Sequence, residues 1–196
     1  MSRTSRQFRR WEEQTRKHAS EDARQFALDL YWGQPRPVDP YRFGIALEAG
    51  EQLYRCVWAR YSTLARTPDL LDPRGRLRHG APYWQDWGWC QTLVTSHRLA
   101  SRLAGDGDRL ISNWWTAIAG VQVDPDQEVA TLDDHAGDWR GLYTGPAVPV
   151  ISVAAIERVH GSAALANHPA LACLHKTDPT SGCCPSTRQP SSRAAG

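Results

Sequence analysis

The 196-residue chain has one methionine, three phenylalanines and only two lysines, Lys17 and Lys176, so nearly all of its 23 basic side chains are arginine. That bias suits forked recognition of phosphate or carboxylate, and it is also what a GC-rich genome produces. Long hydrophobic runs are missing. The best uncharged apolar stretch, 146–156, is about half of the ~20 residues that a membrane-spanning helix needs. A secretory leader is not legible either, because the basic start MSRTSRQFRR runs into Trp11-Glu12-Glu13 and not into an apolar segment. The expected location is therefore the cytoplasm, with peripheral membrane contact left open. No charge of one sign dominates: the formal net charge is +2. Residues 1–32 carry seven basic and five acidic side chains, and 175–196 carry three and one, which leaves a mildly acidic middle between basic ends. Such a balance excludes wrapping of nucleic acid over the whole surface.

The five cysteines, Cys56, Cys90, Cys173, Cys183 and Cys184, are odd in number and contain no C-x-x-C pair, which excludes a secreted disulfide framework and a zinc ribbon. His168, Cys173, His175, Cys183 and Cys184 are zinc-ligand types, but their spacing matches no finger. No metal and no cofactor are expected. Nucleophile elbows, H-E-x-x-H helices, P-loops and G-x-G-x-x-G turns are absent as well. His97, His135 and His160 with Ser96, Asp133 and Asp134 make a triad only on paper, so no catalytic residue is assigned and the chain is not expected to be an enzyme.

What is present is a change of period. From residue 5 to 32 the pattern is helical, with Glu12 and Arg16, and Glu13 and Lys17, as favourable i,i+4 pairs, and with Ala19, Ala23, Phe26, Ala27 and Leu30 on one face. Ser20 followed by Glu21 and Asp22 offers a cap for a second helix, so this arm reads as one helix or two. Gly33-Gln34-Pro35-Arg36-Pro37 ends it, and 33–40 reads as a linker. Beyond it the period is two. Strands are predicted over 42–47, 51–61, 89–95, 98–103, 110–115, 118–123, 128–132 and 138–143, separated by turn residues such as Gly105-Asp106-Gly107-Asp108 and Asp124-Pro125-Asp126. Both faces of 51–61 are partly apolar, and the N-terminal helix is the expected cover for the outer one. Residues 62–88, punctuated by Pro68, Pro73, Gly75, Gly80 and Pro82, read as a long loop insertion. Pro149 and Gly161 bracket a final helix over 150–160 with Val148, Ile151, Ala155 and Val159 in one stripe. The barrel domain is expected to span 41–174. The Pro-, Ser-, Thr- and Gly-rich residues 175–196 read as a disordered tail.

Seven or so antiparallel strands closed by one helix describe an α+β, pleckstrin-homology-like (PH-like) barrel. Two short motifs agree. Leu47-Glu48-Ala49-Gly50-Glu51 resembles the Leu-x-x-Gly-Glu opening of bacterial PH-like and GRAM-like domains, and Leu93-Val94-Thr95-Ser96-His97-Arg98-Leu99 resembles their hairpin, with its Thr-x-x-Arg-Leu core. The resemblance spans roughly residues 42–160. It implies a non-catalytic binding or adaptor protein of the bacterial cytoplasm that docks a protein partner. The alternatives are a peripheral binder of anionic membrane and an accessory of plasmid or DNA-transfer machinery that uses the basic termini; oligomeric state is left open.

The candidate contact residues follow from chemistry. Arg98 and Arg102 share a strand face and could fork a phosphate or carboxylate. Nine tryptophans are many for this length, and Trp84, Trp87 and Trp115 are the candidates for an aromatic partner surface beside the 62–88 segment. Arg6, Arg9 and Arg10 with Trp11 form a basic amphipathic end suited to anionic membrane or nucleic-acid phosphate.

Overall fold

The computed structural model describes residues 3–103, 109–124, 126–135, 137 and 139–171, excluding the side chains of residues 3–9 and 170. The zinc-like set and the expected disordered tail therefore lie largely or wholly outside the described residues.

The N-terminal pattern folds as a single helix, α1 (Arg3–Tyr31). Ser20 caps nothing, because its hydroxyl donates one turn back to the carbonyl of Arg16 and the helix runs through it. Gly33, at φ 67°, ends the helix in the left-handed conformation that favours glycine. The strand expected over 42–47 does not form. Asp39 accepts the Tyr41 N–H, Pro40 presets the first turn, and Pro40–Phe43 coils into a 3-10 helix that Gly44 stops at φ 61°. A capping signal thus outweighs alternation.

Among the described residues nine strands follow: β1 (Leu53–Arg66), β2 (Leu70–Leu71), β3 (Leu77–Arg78), β4 (Pro82–Thr95), β5 (Arg98–Leu103), β6 (Leu110–Trp114), β7 (Ile118–Asp124), β8 (Val129–Asp134) and β9 (Arg140–Thr144). Seven of them form one antiparallel sheet in the order β6-β5-β4-β1-β9-β8-β7, and β2 and β3 form a separate hairpin. The chain walks outward from β1 to the β6 edge. It then passes through the short 3-10 helix Trp115–Ala117 to the opposite edge, β7, and walks back to β1 through β8 and β9. A three-residue connection between opposite edges requires the sheet to curl. No ladder joins β6 to β7, however, so the sheet is not a closed barrel; a cleft lined by Asn113 and Trp114 on one side and Ile118 and Trp139 on the other lies between them.

The helix after the last strand, α2 (Val148–His160), is buried on every side from Val148 to Ile156, and so is a core helix rather than the striped one expected. It packs against β7 and β8 on one side and against α1 on the other, followed by α3 (Ala164–Asn167) and the 3-10 turn Pro169–Leu171. Helix α1 therefore lies on the α2 side, and the outer face of the sheet has a different cover. There Leu53, Leu93 and Ala100 meet Ile45, with Val38, Phe43 and Leu47 packed around them, in a second small core. A bulge between Leu53 and Arg55 separates the two faces: Tyr54 joins the main core, where its ring meets Phe26 of α1 at 6.2 Å.

Segment 62–88 is not an irregular loop. Its ends continue β1 and β4, whose pairing runs from Leu53 opposite Thr95 to Arg66 opposite Pro82. Strand β9 pairs with β1 only over residues 60–63, and β5 pairs with β4 only over residues 90–94, so the outer part of the hairpin extends past both neighbours as a two-stranded arm.

Candidate functional site

The two family-like motifs meet at one carboxylate. Arg98 is 8% exposed, and its Nε and Nη2 donate to Oε1 and Oε2 of Glu51 at 2.9 and 2.8 Å. Nη1 donates to the Ser112 hydroxyl at 3.0 Å, and the guanidinium lies 4.8 Å from the Trp114 ring centroid. The Thr95 hydroxyl donates to Glu51 at 2.7 Å and accepts the Arg98 N–H at 2.9 Å, while the Glu48 N–H adds a bond at 2.9 Å. Burial pushes the Glu51 carboxyl up, but the bonds from Arg98, the Glu48 N–H and Thr95 outweigh it and hold the group below the ordinary range. Arg98 is thus spent inside the fold. So is Arg102, whose Nη1 and Nη2 donate to the carbonyls of Phe43 and Gly44 at 3.0 and 2.8 Å, clamping the outer cover to β5.

The tryptophans divide. Trp115 is buried, and its indole N–H donates to the Thr95 carbonyl at 2.9 Å. Trp87 is half-buried, donates to Thr63 Oγ1 at 3.0 Å and lies under Arg109, 5.0 Å from the ring centroid. Trp84 is 44% exposed on the arm, beside Tyr83 at 47%. At the N-terminal end Arg10 is exposed, and Trp11 packs edge-on against Trp89 at 6.2 Å. The side chains of Arg6 and Arg9 lie outside the described residues.

Inside the curl, Asn113 donates to the hydroxyls of Tyr61 and Tyr143 at 3.2 and 2.8 Å, and Ser101 links Tyr143 to Thr92 at 3.3 and 3.4 Å. Burial pushes Tyr61 up to about 12 and Tyr143 well above the ordinary tyrosine value, and it raises the Cys90 thiol to about 11. These groups are protonated near neutral pH, the opposite of what a nucleophile or general base requires.

The exposed chemistry is concentrated on the arm. Ser62 and Arg60 both engage Asp86, the arginine in a close ion pair. The Thr67 N–H donates to the Ala81 carbonyl at 3.0 Å, and an added Cβ at Gly80 would stand 1.5 Å from the Thr67 oxygen, so this crossing admits only glycine. At the tip, Asp72 accepts the N–H groups of Arg74 and Arg76 at 2.8 and 2.9 Å, and Asp69 accepts the Gly80 N–H at 2.7 Å with His79 beside it at 3.3 Å. The Gly80 bond, then His79, holds the Asp69 carboxyl below its ordinary range. Both acids are therefore engaged in shaping the turn. Around them Arg66, Arg74, Arg76 and Arg78 are exposed, while Leu70, Leu71 and Leu77 stand 68%, 71% and 56% exposed. Leu71 lies opposite Leu77 and Leu70 opposite Arg78, so leucines occupy both faces of the tip.

Sequence reasoning overlooked these three leucines because it read the segment as a loop; the available signal was the short Leu70-Leu71 run, followed by Asp72-Pro73-Arg74-Gly75 as a turn. Among known proteins the chain matches no family model, and no curated protein or solved structure is significantly similar to it.

Proposed function

We propose that the chain is a non-catalytic adaptor of PH-like build that attaches peripherally to an anionic membrane through the β1–β4 arm. The PH-like reading is supported by the meander order of the sheet, by the helix that follows its last strand, and by the convergence of both motifs on Glu51. The observation that carries the function is the tip itself: three exposed leucines within a collar of arginines, whose only two acids are turned into the hairpin. Partial burial of three leucines yields a few kcal/mol, and each arginine near an anionic surface adds about 1 kcal/mol. Neither contribution suffices alone, and together they make reversible attachment. The spent donors of Arg98 and Arg102 argue against those residues as the headgroup site.

The test is cosedimentation with vesicles of pure phosphatidylcholine and of phosphatidylcholine containing about a third phosphatidylserine, at low and high salt. Binding should require the anionic lipid and weaken with salt; L70D/L71D/L77D should abolish it, and R74A/R76A/R78A should weaken it. Equal binding to both vesicle types, or unchanged binding by both variants, would refute the proposal. Docking on a protein partner is the second reading, supported by the exposed Tyr83–Trp84 pair, since aromatics of this kind anchor interfaces. Partner capture lost in a Y83A/W84A variant, with vesicle binding absent throughout, would select it.

A further inference from the structure

Behind the tip, the outer face of β1 and β4 carries a second unusual surface. The small outer core reaches along β1 as far as Cys56. Past it Ala59 and Tyr61 face the main core, so Trp58, Arg60 and Ser62 point outward, paired with Gln91, Trp89 and Asp86. Leu64 and Trp84 make the next outward pair. Trp58 and Trp84 are 50% and 44% exposed. Between them Trp89 lies across β1. It pairs with Arg60, which pairs in turn with Thr144 of β9, and an added Cβ at the adjoining Gly145 would stand 3.2 Å from the Trp89 ring. Trp11 of α1 supports that ring from the side. Trp58 and Trp84 are three outward rows apart, about 20 Å at roughly 3.3 Å per residue.

The charges on this face are compensated within it. Arg60 is in a close ion pair with Asp86, which also accepts the Ser62 hydroxyl and the Gly88 N–H at 3.4 and 2.9 Å, and Arg16 at the α1 edge is paired with Glu128. A polyanion would have to break those pairs to use the arginines. Nor do the tryptophans merge into one apolar patch, because the hydrated Arg60–Asp86 pair, each side chain about half exposed, stands between Trp58 and Trp84. The ligand that matches is uncharged, long enough to span both rings, apolar on its flat faces and rich in hydroxyl groups at its edges. Linked sugar rings have this chemistry: their C–H faces stack on indole, and their hydroxyls take the place of water on carboxylate, guanidinium and amide groups. We propose that the outer face of β1 and β4 binds an uncharged glycan chain, with Trp58 and Trp84 as stacking platforms, the Arg60–Asp86 pair as hydroxyl partner between them and Gln91 beside Trp58. This site is separate from the leucine tip and does not depend on membrane attachment.

Titration of the full chain with cellohexaose, maltohexaose and chitohexaose, followed by tryptophan fluorescence and calorimetry, tests this. At least one hexaose should bind, and glucose should bind far more weakly because it reaches a single platform. Trp58→Ala and Trp84→Ala should each weaken binding about tenfold, the scale of one aromatic contact, while their melting temperatures stay within about 2 °C of wild type because both rings are exposed. Binding should be insensitive to salt and unchanged in R74A/R76A/R78A, which alters only the tip. Failure of all three hexaoses to bind at millimolar concentration, or equal binding by wild type and both tryptophan variants, would overturn the proposal. So would binding of an oligothymidylate that requires Trp58 and weakens with salt, because the occupant would then be single-stranded nucleic acid.

Discussion

Replacing Arg98 with alanine should damage stability without touching the binding surface. Its partner Glu51 has a side chain with no exposure, and the Arg98 side chain itself is only 10% exposed. Removing the guanidinium leaves a buried carboxylate with only the Thr95 hydroxyl and the Glu48 N–H, and it also strips Ser112 and the Trp114 ring of a partner. Breaking a buried pair from one side costs about 3–5 kcal/mol. For a domain of this size each kcal/mol lowers Tm by about 2–4 °C, so a fall of roughly 6–20 °C is expected. Guanidinium melts of R98A, E51Q and the R98M/E51L pair give the coupling: the double variant should be much less harmed than the sum of the singles. The acid limb adds a signature. Because the folded Glu51 pKa lies below its unfolded value, the stabilisation is present above the ordinary glutamate range and is lost as pH falls through that range and below it. Variants without the pair should lack that part of the acid dependence. A loss under about 1 kcal/mol for R98A, additive singles, or loss of vesicle binding by folded R98A would refute the reasoning.

Arg102→Ala should release the outer cover, costing about 1.5–3 kcal/mol for two bonds from a charged donor, with hydrogen exchange rising over residues 38–47 before the rest of the sheet. Spectrophotometric titration should leave Tyr61 and Tyr143 uncharged at the ordinary tyrosine value. Since their folded pKa values are raised, stability should decline as pH rises above the ordinary tyrosine value, and Y61F should flatten that decline. Gly80→Ala should disrupt the Thr67–Ala81 crossing and abolish vesicle binding while the main melting transition moves by no more than about 2 °C, because the arm lies outside the core. A large drop in Tm would mean that the arm folds as one unit with the sheet.

The legible parts of the fold were those with a buried face. Strand β5 matches its expected span because Leu99 and Leu103 face the core while Arg98 and Arg102 carry polar ends on the other side, a sharp period of two. The arm was illegible for the complementary reason. Residues 64–66 and 82–84 have no buried face, so no contrast betrays the strand, and Pro68, Pro73, Gly75 and Gly80 looked like evidence against structure when they are the turns of a nested hairpin. The arginine roles could not be read locally at all. Arg98 finds Glu51 47 positions away, and Arg102 finds Phe43 59 positions away, separations over which single-sequence patterns carry no information.

Arginine usage then separates the body from the tip more clearly than net charge does. On the body, Arg16, Arg55, Arg60, Arg98 and Arg140 each meet a carboxylate. At the tip the acids also bind backbone N–H groups, Asp72 lies 3.9 Å from Arg78, and Arg66, Arg74, Arg76 and Arg78 stand exposed. The two parts of attachment should therefore separate experimentally. The arginine contribution acts through solvent and is screened beyond about 8–10 Å at moderate salt, so it governs the approach, whereas the leucine contribution is insensitive to screening and governs residence. R74A/R76A/R78A should slow association and blunt the salt dependence, while a single L71D should speed dissociation and leave the salt dependence in place. A variant pair behaving the other way round would mean that the leucines pack on a partner's surface and the arginines hold it there.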